Sequence, residues 1–344
     1  MPTVPAKTGP DMTEPPARTS ERILQLLTQY RRSSETTSVA SSHTQTVCEP
    51  FVSQIQQFVA ANQPVQFVLP GYPCKSPNPH KVLGILPDLA ERLSLRFLKQ
   101  FCEKLTRIYA PGATLLICSD GHVFGDLIGV SDHVIDGYAA ALRSMVEEEQ
   151  LACFEVFHLG QVYDSLDGNQ KRQRLIAEWV RPLPDIRDEL LGSAANLQLY
   201  RGITRFLVED TADHTGSSKS ALQRQCRQRA LSVIQRSWAW GDVLGHTFPN
   251  AVRLSIHPQP AGSSKFGILL SETPDRWLTP WHGVSVLTES GYVIMKHDDA
   301  RRVGKLICID GMPSHYEARS ATVQAVTGCT APRIPAVRSE STSR

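Results

Sequence analysis

The chain has 344 residues, 41% hydrophobic and 20% charged, a composition that fits one large globular domain or two of average size. Its 36 basic and 34 acidic side chains leave a formal charge of +2, so bulk charge offers no case for a nucleic-acid or membrane partner. No run approaches the ~18 apolar residues of a membrane span. The opening "MPTVPAKTGPDMTEPPARTS" has no apolar core of a secretory signal, so residues 1–19 read as a disordered tail and the protein as cytoplasmic.

In chain order, "SERILQLLTQY" predicts a first helix capped by Ser20, with Ile23, Leu26, Leu27 and Tyr30 on one face. "RRSSETTSVASSHTQT" is polar and weakly periodic, a loop or linker, and "EPFVSQIQQFVAANQ" a second helix. "VQFVL" at 65–69 is a short, continuous apolar run, as expected of a strand covered on both faces. A stiff cationic loop follows within "LPGYPCKSPNPHKVLGILPD", far longer than the usual connection of about 4–6 residues. "PDLAERLSLRFLKQFCEKLTRIY" then predicts a helix with Pro87 at its first position. Its apolar stripe is Leu89, Leu93, Phe97, Phe101, Leu105 and Ile108. "ATLLICSDG" is a strand, "DHVIDGYAAALRSMVEEE" a helix and "FEVFHL" a third strand.

Strands alternating with helices over about 50–160 predict an α/β fold, a modified Rossmann-like core with a parallel sheet flanked by helices. Beyond it, "NQKRQRLIAEWV" is helical, "RPLPDIRDEL" a break, and "SSKSALQRQCRQRALSVIQRSWAWGDVL" a long basic helix. "AVRLSIHP" alternates as a strand, "FGILL" is another, and "VSVLTE" and "YVIMKH" form a hairpin across "SG". Residues 161–310 thus read as a helical and C-terminal mixed β extension of a single α/β domain spanning 20–310. From 311 to 344 a loosely ordered tail is expected. The eight cysteines show no CxxC and no zinc-site spacing, and read as small hydrophobes in a reducing compartment.

Four places could carry chemistry. Lys75, Ser76, Asn78 and Lys81 follow the carboxyl end of a strand, where open α/β sheets bind ligands, and could hold a phosphate; an ordinary solvated loop is the alternative. In "CSDGHVFGD", Asp120 stands at a strand tip and Asp126 six residues on. Either could work as a base, against a tight Asp120–Gly121 turn and a helix cap at Asp132. In "YRGITRFLVED", Arg201, Arg205, Glu209 and Asp210 form either a polar cluster or a surface ion pair. Arg253, Ser255 and His257 share one strand face and could grip an anion and move a proton, with Trp281 and His282 closing the cleft.

"KSPNPHKVLGILPDLAERLSLRFL", "YAPGATLLICSDGHVFGDLIGVSDHVIDGY", "YRGITRFLVED", "FPNAVRLSIHPQ" and "TPWHGV", in this order between Val65 and Val286, resemble the pyoverdine/dityrosine biosynthesis family of isocyanide (isonitrile) synthases. The resemblance implies conversion of an amino acid's α-amine, commonly that of tyrosine or tryptophan, to an isonitrile. The carbon would come from ribulose 5-phosphate, with no metal or redox cofactor. It also implies a separate iron and 2-oxoglutarate-dependent oxygenase acting on the product, since 344 residues leave no room for one here. The amine must attack the sugar ketone and lose water; proton removals, phosphate loss and carbon–carbon cleavage then leave the isonitrile. On the family pattern KS-x-N-x-x-K, Lys75, Ser76, Asn78 and Lys81 would take the phosphosugar. Asp120 and Asp126 would orient it and relay protons. Arg253 and Ser255 would grip an anion, with His257 a second proton carrier. Arg201, Arg205 and Lys219 would help close the site. The competing readings are another Rossmann-type transferase for a phosphosugar or nucleotide, and a non-catalytic biosynthetic scaffold. The first of these lacks a GxGxxG after any predicted strand.

Overall fold

The apolar run at 65–69 becomes strand β1 (Val65–Gly71), the middle strand of a five-stranded sheet and buried on both faces. The computed structural model describes residues 15–32, 42–211, 218–260, 262–273, 275 and 277–319. Helices α1 (Pro16–Gln29) and α2 (Ser42–Ala60) precede β1. Then come α3 (Leu89–Ile108), β2 (Ala113–Ser119), α4 (Gly121–Ile128), α5 (Asp132–Glu148) and β3 (Phe154–His158). A helical stretch follows: α6 (Leu159–Val162), α7 (Gly168–Trp179), α8 (Leu183–Leu191), α9 (Ala194–Thr211) and α10 (Lys219–Thr247). Strands β4 (Val252–Ser255) and β5 (Phe266–Gly267) complete the sheet in the order β3-β2-β1-β4-β5, every neighbour parallel.

This order fixes where a ligand can enter. The chain steps outward from β1 to β2 to β3, then crosses back to the other side of β1 for β4 and β5. Connections diverge at the carboxyl ends of β1 and β4, and there an open α/β sheet leaves a crevice. The two faces of β1 are sealed by different cores. Phe67 and Leu69 pack with Leu27 of α1, Ile55 of α2, and Leu98 and Phe101 of α3. Val68 packs with Leu116 and Cys118 of β2 and with Trp240 and Val243 of α10. Each such buried side chain stabilises by roughly 1.5–3 kcal/mol, so the strand ends are held rigidly.

A second sheet follows, built from β6 (Val284–Thr288), β7 (Gly291–Met295), β8 (Gly304–Ile309) and β9 (Met312–Ala318), with α11 (His297–Val303) between its halves. Its order is β7-β6-β9-β8, with the predicted β6–β7 hairpin and a parallel β6–β9 pair. The fold is therefore α/β, a parallel five-stranded core flanked by helices with a separate mixed C-terminal sheet. No described helix is long and apolar enough to cross a membrane.

Several local expectations are corrected. The tail expected from residue 311 starts instead with β9, because Tyr316 buries itself against Val284, Val286 and Met295. The tails at 1–14 and 320–344, and linker residues 33–41, lie outside the described residues. Ser20 does not cap α1; the helix begins a turn earlier, and Ser20 Oγ donates to the Pro16 carbonyl 2.7 Å away. Pro87 precedes α3 rather than opening it, since Asp88 and Glu91 form a reciprocal capping box. The buried face of α3 runs through Leu95, Leu98, Phe101 and Leu105, leaving Leu89, Leu93, Phe97 and Ile108 half-buried at its border. "RPLPDIRDEL" is no break: its prolines occupy the start of α8, where a missing N–H costs nothing. Ser131, not Asp132, takes the N-cap position of α5.

Nor is there a tight turn at Asp120–Gly121. Gly121 opens α4 directly and lies against the loop after β1. A Cβ there would fall on the Pro73 carbonyl oxygen and 2.6 Å from Ile135 Cγ2. Gly121→Ala should therefore cost about 1–3 kcal/mol by overpacking. A urea unfolding midpoint equal to that of the unsubstituted protein would show that the loop yields freely.

Candidate active site

The long loop after β1 turns inward. Lys75 is only 2% exposed, and its ammonium lies 2.7 Å from Glu91 Oε2 and 2.9 Å from Asp88 Oδ2, donating also to the Pro280 carbonyl. Burial pulls the ammonium's pKa down, but the two carboxylates outweigh it and hold it above the ordinary lysine value. Lys75 is thus an internal strut joining the loop to the start of α3, with no charge left over for a phosphate. That corrects the expected role. The reason is the capping box: it places two acids on one helical turn directly beneath the loop.

Ser76, Asn78 and Lys81 share a different partner. Ser76 Oγ donates to Asp210 Oδ1 at 2.8 Å, Lys81 Nζ lies 2.7 Å from the same oxygen, and Asn78 Nδ2 donates to the Glu209 carbonyl. The loop is thereby clamped to the last turn of α9. Asp210 is 4% exposed, and its Oδ2 is buried without a hydrogen-bond partner. His282 Nε2 stands 3.9 Å from Oδ2, while His282 Nδ1 shares a 2.7 Å hydrogen bond with Thr279. Burial raises Asp210, with Lys81 partly offsetting it; burial and the nearby lysines push His282 well below its ordinary value. Trp281 lies on Tyr72 at 5.0 Å, and its ring caps Gly71, where a Cβ would stand 3.2 Å from Trp281 Cη2.

Asp120 closes β2 beside this cluster. It occupies the N-cap position of α4 yet makes no capping bond, and Oδ1 is buried without a partner. Burial lifts its pKa to about 7. The carboxylates of Asp120 and Asp210, after burial itself, both raise the Cys74 thiol, so they flank the same point in the loop.

Across the crevice, β4 supplies the third wall. Ser255 Oγ accepts from the backbone N–H of His257 and from Gln259 Nε2, shaping the strand end rather than facing a ligand. His257 is half-buried, and burial with Arg32 and Lys265 nearby pushes it down to about 4, a neutral imidazole at pH 7. Arg253 donates to the Gly241 carbonyl at 2.7 Å. A Cβ on Gly241 would stand 2.8 Å from Arg253 Nη2 and 3.6 Å from Lys265 Nζ, so two cations converge over one glycine. Burial, then Arg253, brings Lys265 down to about 8. The Asp242 carboxylate opposes the downward shifts of both cations, yet among the described residues it forms no ion pair with either.

Asp120 follows the carboxyl end of β2, His257 follows that of β4, Trp281 packs on Tyr72 just after β1 and His282 stands beside Asp210, whereas Arg253 lies within β4 opposite Val68 of β1. Asp126 does not join them. It is bound by Arg236, with Nη2–Oδ2 at 2.8 Å, and by Arg172 at 3.7 Å, tying α4 to α10 and α7. Arg201 and Arg205 are exposed on α9, Arg205 merely 3.9 Å from Glu209 at i,i+4 spacing. Lys219 is exposed at the start of α10. Lys265 and Arg32 carried no sequence signal, the first being a lone cation beside a two-residue strand and the second one of an arginine pair just past α1. Asp210 had one: it ends an apolar helix face, and a carboxylate there points inward. Among the described residues no three His, Cys, Asp or Glu side chains cluster so as to hold a metal ion.

The profile of the family described as "pyoverdine/dityrosine biosynthesis protein" matches residues 55–306. The chain is 48% identical to an L-tyrosine isonitrile synthase of Pseudomonas aeruginosa, over 90% of this chain and 97% of that protein. It is 45% identical to an L-tyrosine isonitrile synthase of Xenorhabdus nematophila, over 86% and 91%. To an L-tryptophan isonitrile synthase of Fischerella ambigua it is 38% identical, over 86% and 91%. The crystal structure of the PvcA protein from Pseudomonas aeruginosa superposes with a TM-score of 0.83 at 47% identity, over 87% of this chain and 99% of that one.

Proposed function

The chain belongs to the pyoverdine/dityrosine biosynthesis protein family, and from that premise we propose that it is an isocyanide synthase acting on the α-amine of an aromatic amino acid, with L-tyrosine the first candidate. The carbon donor in this reading is ribulose 5-phosphate, and neither metal nor redox cofactor takes part. The product would enter secondary metabolism in the cytoplasm, where a separate iron and 2-oxoglutarate-dependent oxygenase would consume it.

One observation carries the reading: β2 and β4 flank β1, and they carry Asp120, with Oδ1 buried and without a partner, on one side and His257 with the converging cations Arg253 and Lys265 on the other. Imine formation and the proton removals that follow need a group able both to give and to take a proton at neutral pH. Asp120, with Oδ1 buried and without a hydrogen-bond partner, has that property. His257 is the complementary acceptor. Arg253 and Lys265 supply the charge to hold a substrate anion, and Trp281 an apolar wall over the end of β1. Holding amine and ketone together in such a pit removes much of the entropic barrier of a two-substrate reaction.

The purified chain, given L-tyrosine and ribulose 5-phosphate without added cofactor, should form a product with the mass of the isonitrile and release phosphate only when the amino acid is present. Inertness toward tyrosine, tryptophan and aliphatic amino acids alike would overturn the reading. So would a requirement for an added nucleotide.

A further inference from the structure

An opening lies between the carboxyl ends of β2 and β3. It is a cavity of about 110 Å³ bounded by Ser119 and His158 at the two strand ends and by His122, Asp136, Arg143 and Lys171. That is several times the room one water needs. Three helices turn cationic or imidazole groups into it: His122 from α4, Arg143 from α5 and Lys171 from α7. The single carboxylate on the wall, Asp136, is committed to His122, with Oδ1 2.8 Å from Nε2. Among the described residues no carboxylate lies within ion-pair distance of Arg143 or Lys171.

The geometry at Gly160 shows how tightly these groups gather. A Cβ there would stand 2.8 Å from the His158 ring and 3.4 Å from Lys171 Nζ. His158 Nδ1 accepts from the Gly160 N–H at 3.1 Å, which makes Nε2 the nitrogen that carries the proton and donates. Burial, then Arg143 and Lys171, holds His158 below its ordinary pKa, as uncompensated positive charge would. Helix α4 begins beside the cavity with no side-chain cap on its first turn.

We propose that this cavity binds the phosphate of the sugar-phosphate co-substrate, with Arg143 and Lys171 as cationic clamps and His158 donating a hydrogen bond. The proposal rests on the functional reading above and deepens it. Two substrates bring two anions, a phosphate and an amino-acid carboxylate. The protein gathers cations in two places, Arg143 and Lys171 at this cavity and Arg253 and Lys265 over Gly241, and Asp120 directly follows Ser119 of the first. Phosphate on the β2–β3 side lays the sugar carbons toward Asp120 and leaves Arg253 and Lys265 to the amino-acid carboxylate.

The test uses the full chain with Arg143→Gln and Lys171→Gln combined, two side chains that no described ion pair needs for folding. Losing both clamps should raise the KM for ribulose 5-phosphate by about tenfold or more, as expected for charge-assisted hydrogen bonds, with the KM for tyrosine within about twofold. Inorganic phosphate should shift the His158 ring resonances of the unsubstituted protein and not those of the variant. An unchanged KM for the sugar phosphate, with the thermal midpoint retained, would overturn the proposal. So would a selective rise of that KM in Lys265→Gln. If phosphate moves the His158 signals but no amino acid yields an isonitrile, the anion site is supported and the functional reading alone falls.

Discussion

Asp120→Asn should slow isonitrile formation, with kcat falling by about 10²–10⁴, the usual contribution of a positioned proton carrier. The amide keeps the shape of the side chain and removes only the transferable proton. The argument rests on isolation. Oδ1 is buried without a partner, and burial is the first cause that lifts the group to about 7. Acting as a base, Asp120 should give kcat/KM an acid limb near pH 7, absent from the residual activity of the variant. Stability should move the other way. An acid whose folded pKa exceeds its unfolded value binds more protons when folded, so stability falls as pH rises from about 4 toward 7. A shift from 3.8 to about 7 corresponds to about 4 kcal/mol of penalty on the ionised form. Asp120→Asn should therefore unfold no more easily than the parent at pH 8, and gain little at pH 4. Loss of activity together with a lower midpoint at pH 8 would mean that Asp120 is a structural residue.

Lys75→Met should destabilise the fold by about 3–5 kcal/mol, the cost of leaving buried carboxylates without their counter-charge. Asp88 and Glu91 both meet the ammonium within 3 Å, and Glu91 is fully buried. Burial already raises Glu91 to about 7 although Lys75 opposes it, so without Lys75 the ionised form is costlier still. The penalty should grow from pH 5 to pH 8, because protonating Glu91 relieves it at the lower pH. Adding Glu91→Gln to Lys75→Met should recover part of the loss, and chemical denaturation of the four proteins at both pH values measures it. A Lys75→Met protein of parental stability that had lost only sugar-phosphate affinity would reinstate the phosphate role that the loop's sequence suggests.

These two residues mark the boundary between what is local and what is not. Asp120 was legible because "TLLIC" must be a buried strand and the next polar residue must stand at its tip. Lys75 was misread for the same kind of reason: a cation in a loop after a strand is a fair anion ligand until a helix 13 to 16 residues further on puts two acids beneath it. Asp126 and Asp120 looked alike in one motif. The turn of α4 separates them, one into the crevice, the other out to Arg236 and Arg172.

Hydrophobic periodicity and strand–helix alternation were enough to establish the α/β class, the Rossmann-like core, the strand tips that Asp120 and His257 follow and the strand that carries Arg253, since each depends on neighbours a few residues apart. Strand order, the pairing of Lys75 with Glu91 and of Lys81 with Asp210, the approach of Lys265 to Arg253, and the cationic hollow at Arg143 and Lys171 depend on contacts between remote segments. A side chain's partner across a packed interface is set by how helices and sheet seat on one another, and only the folded chain decides that.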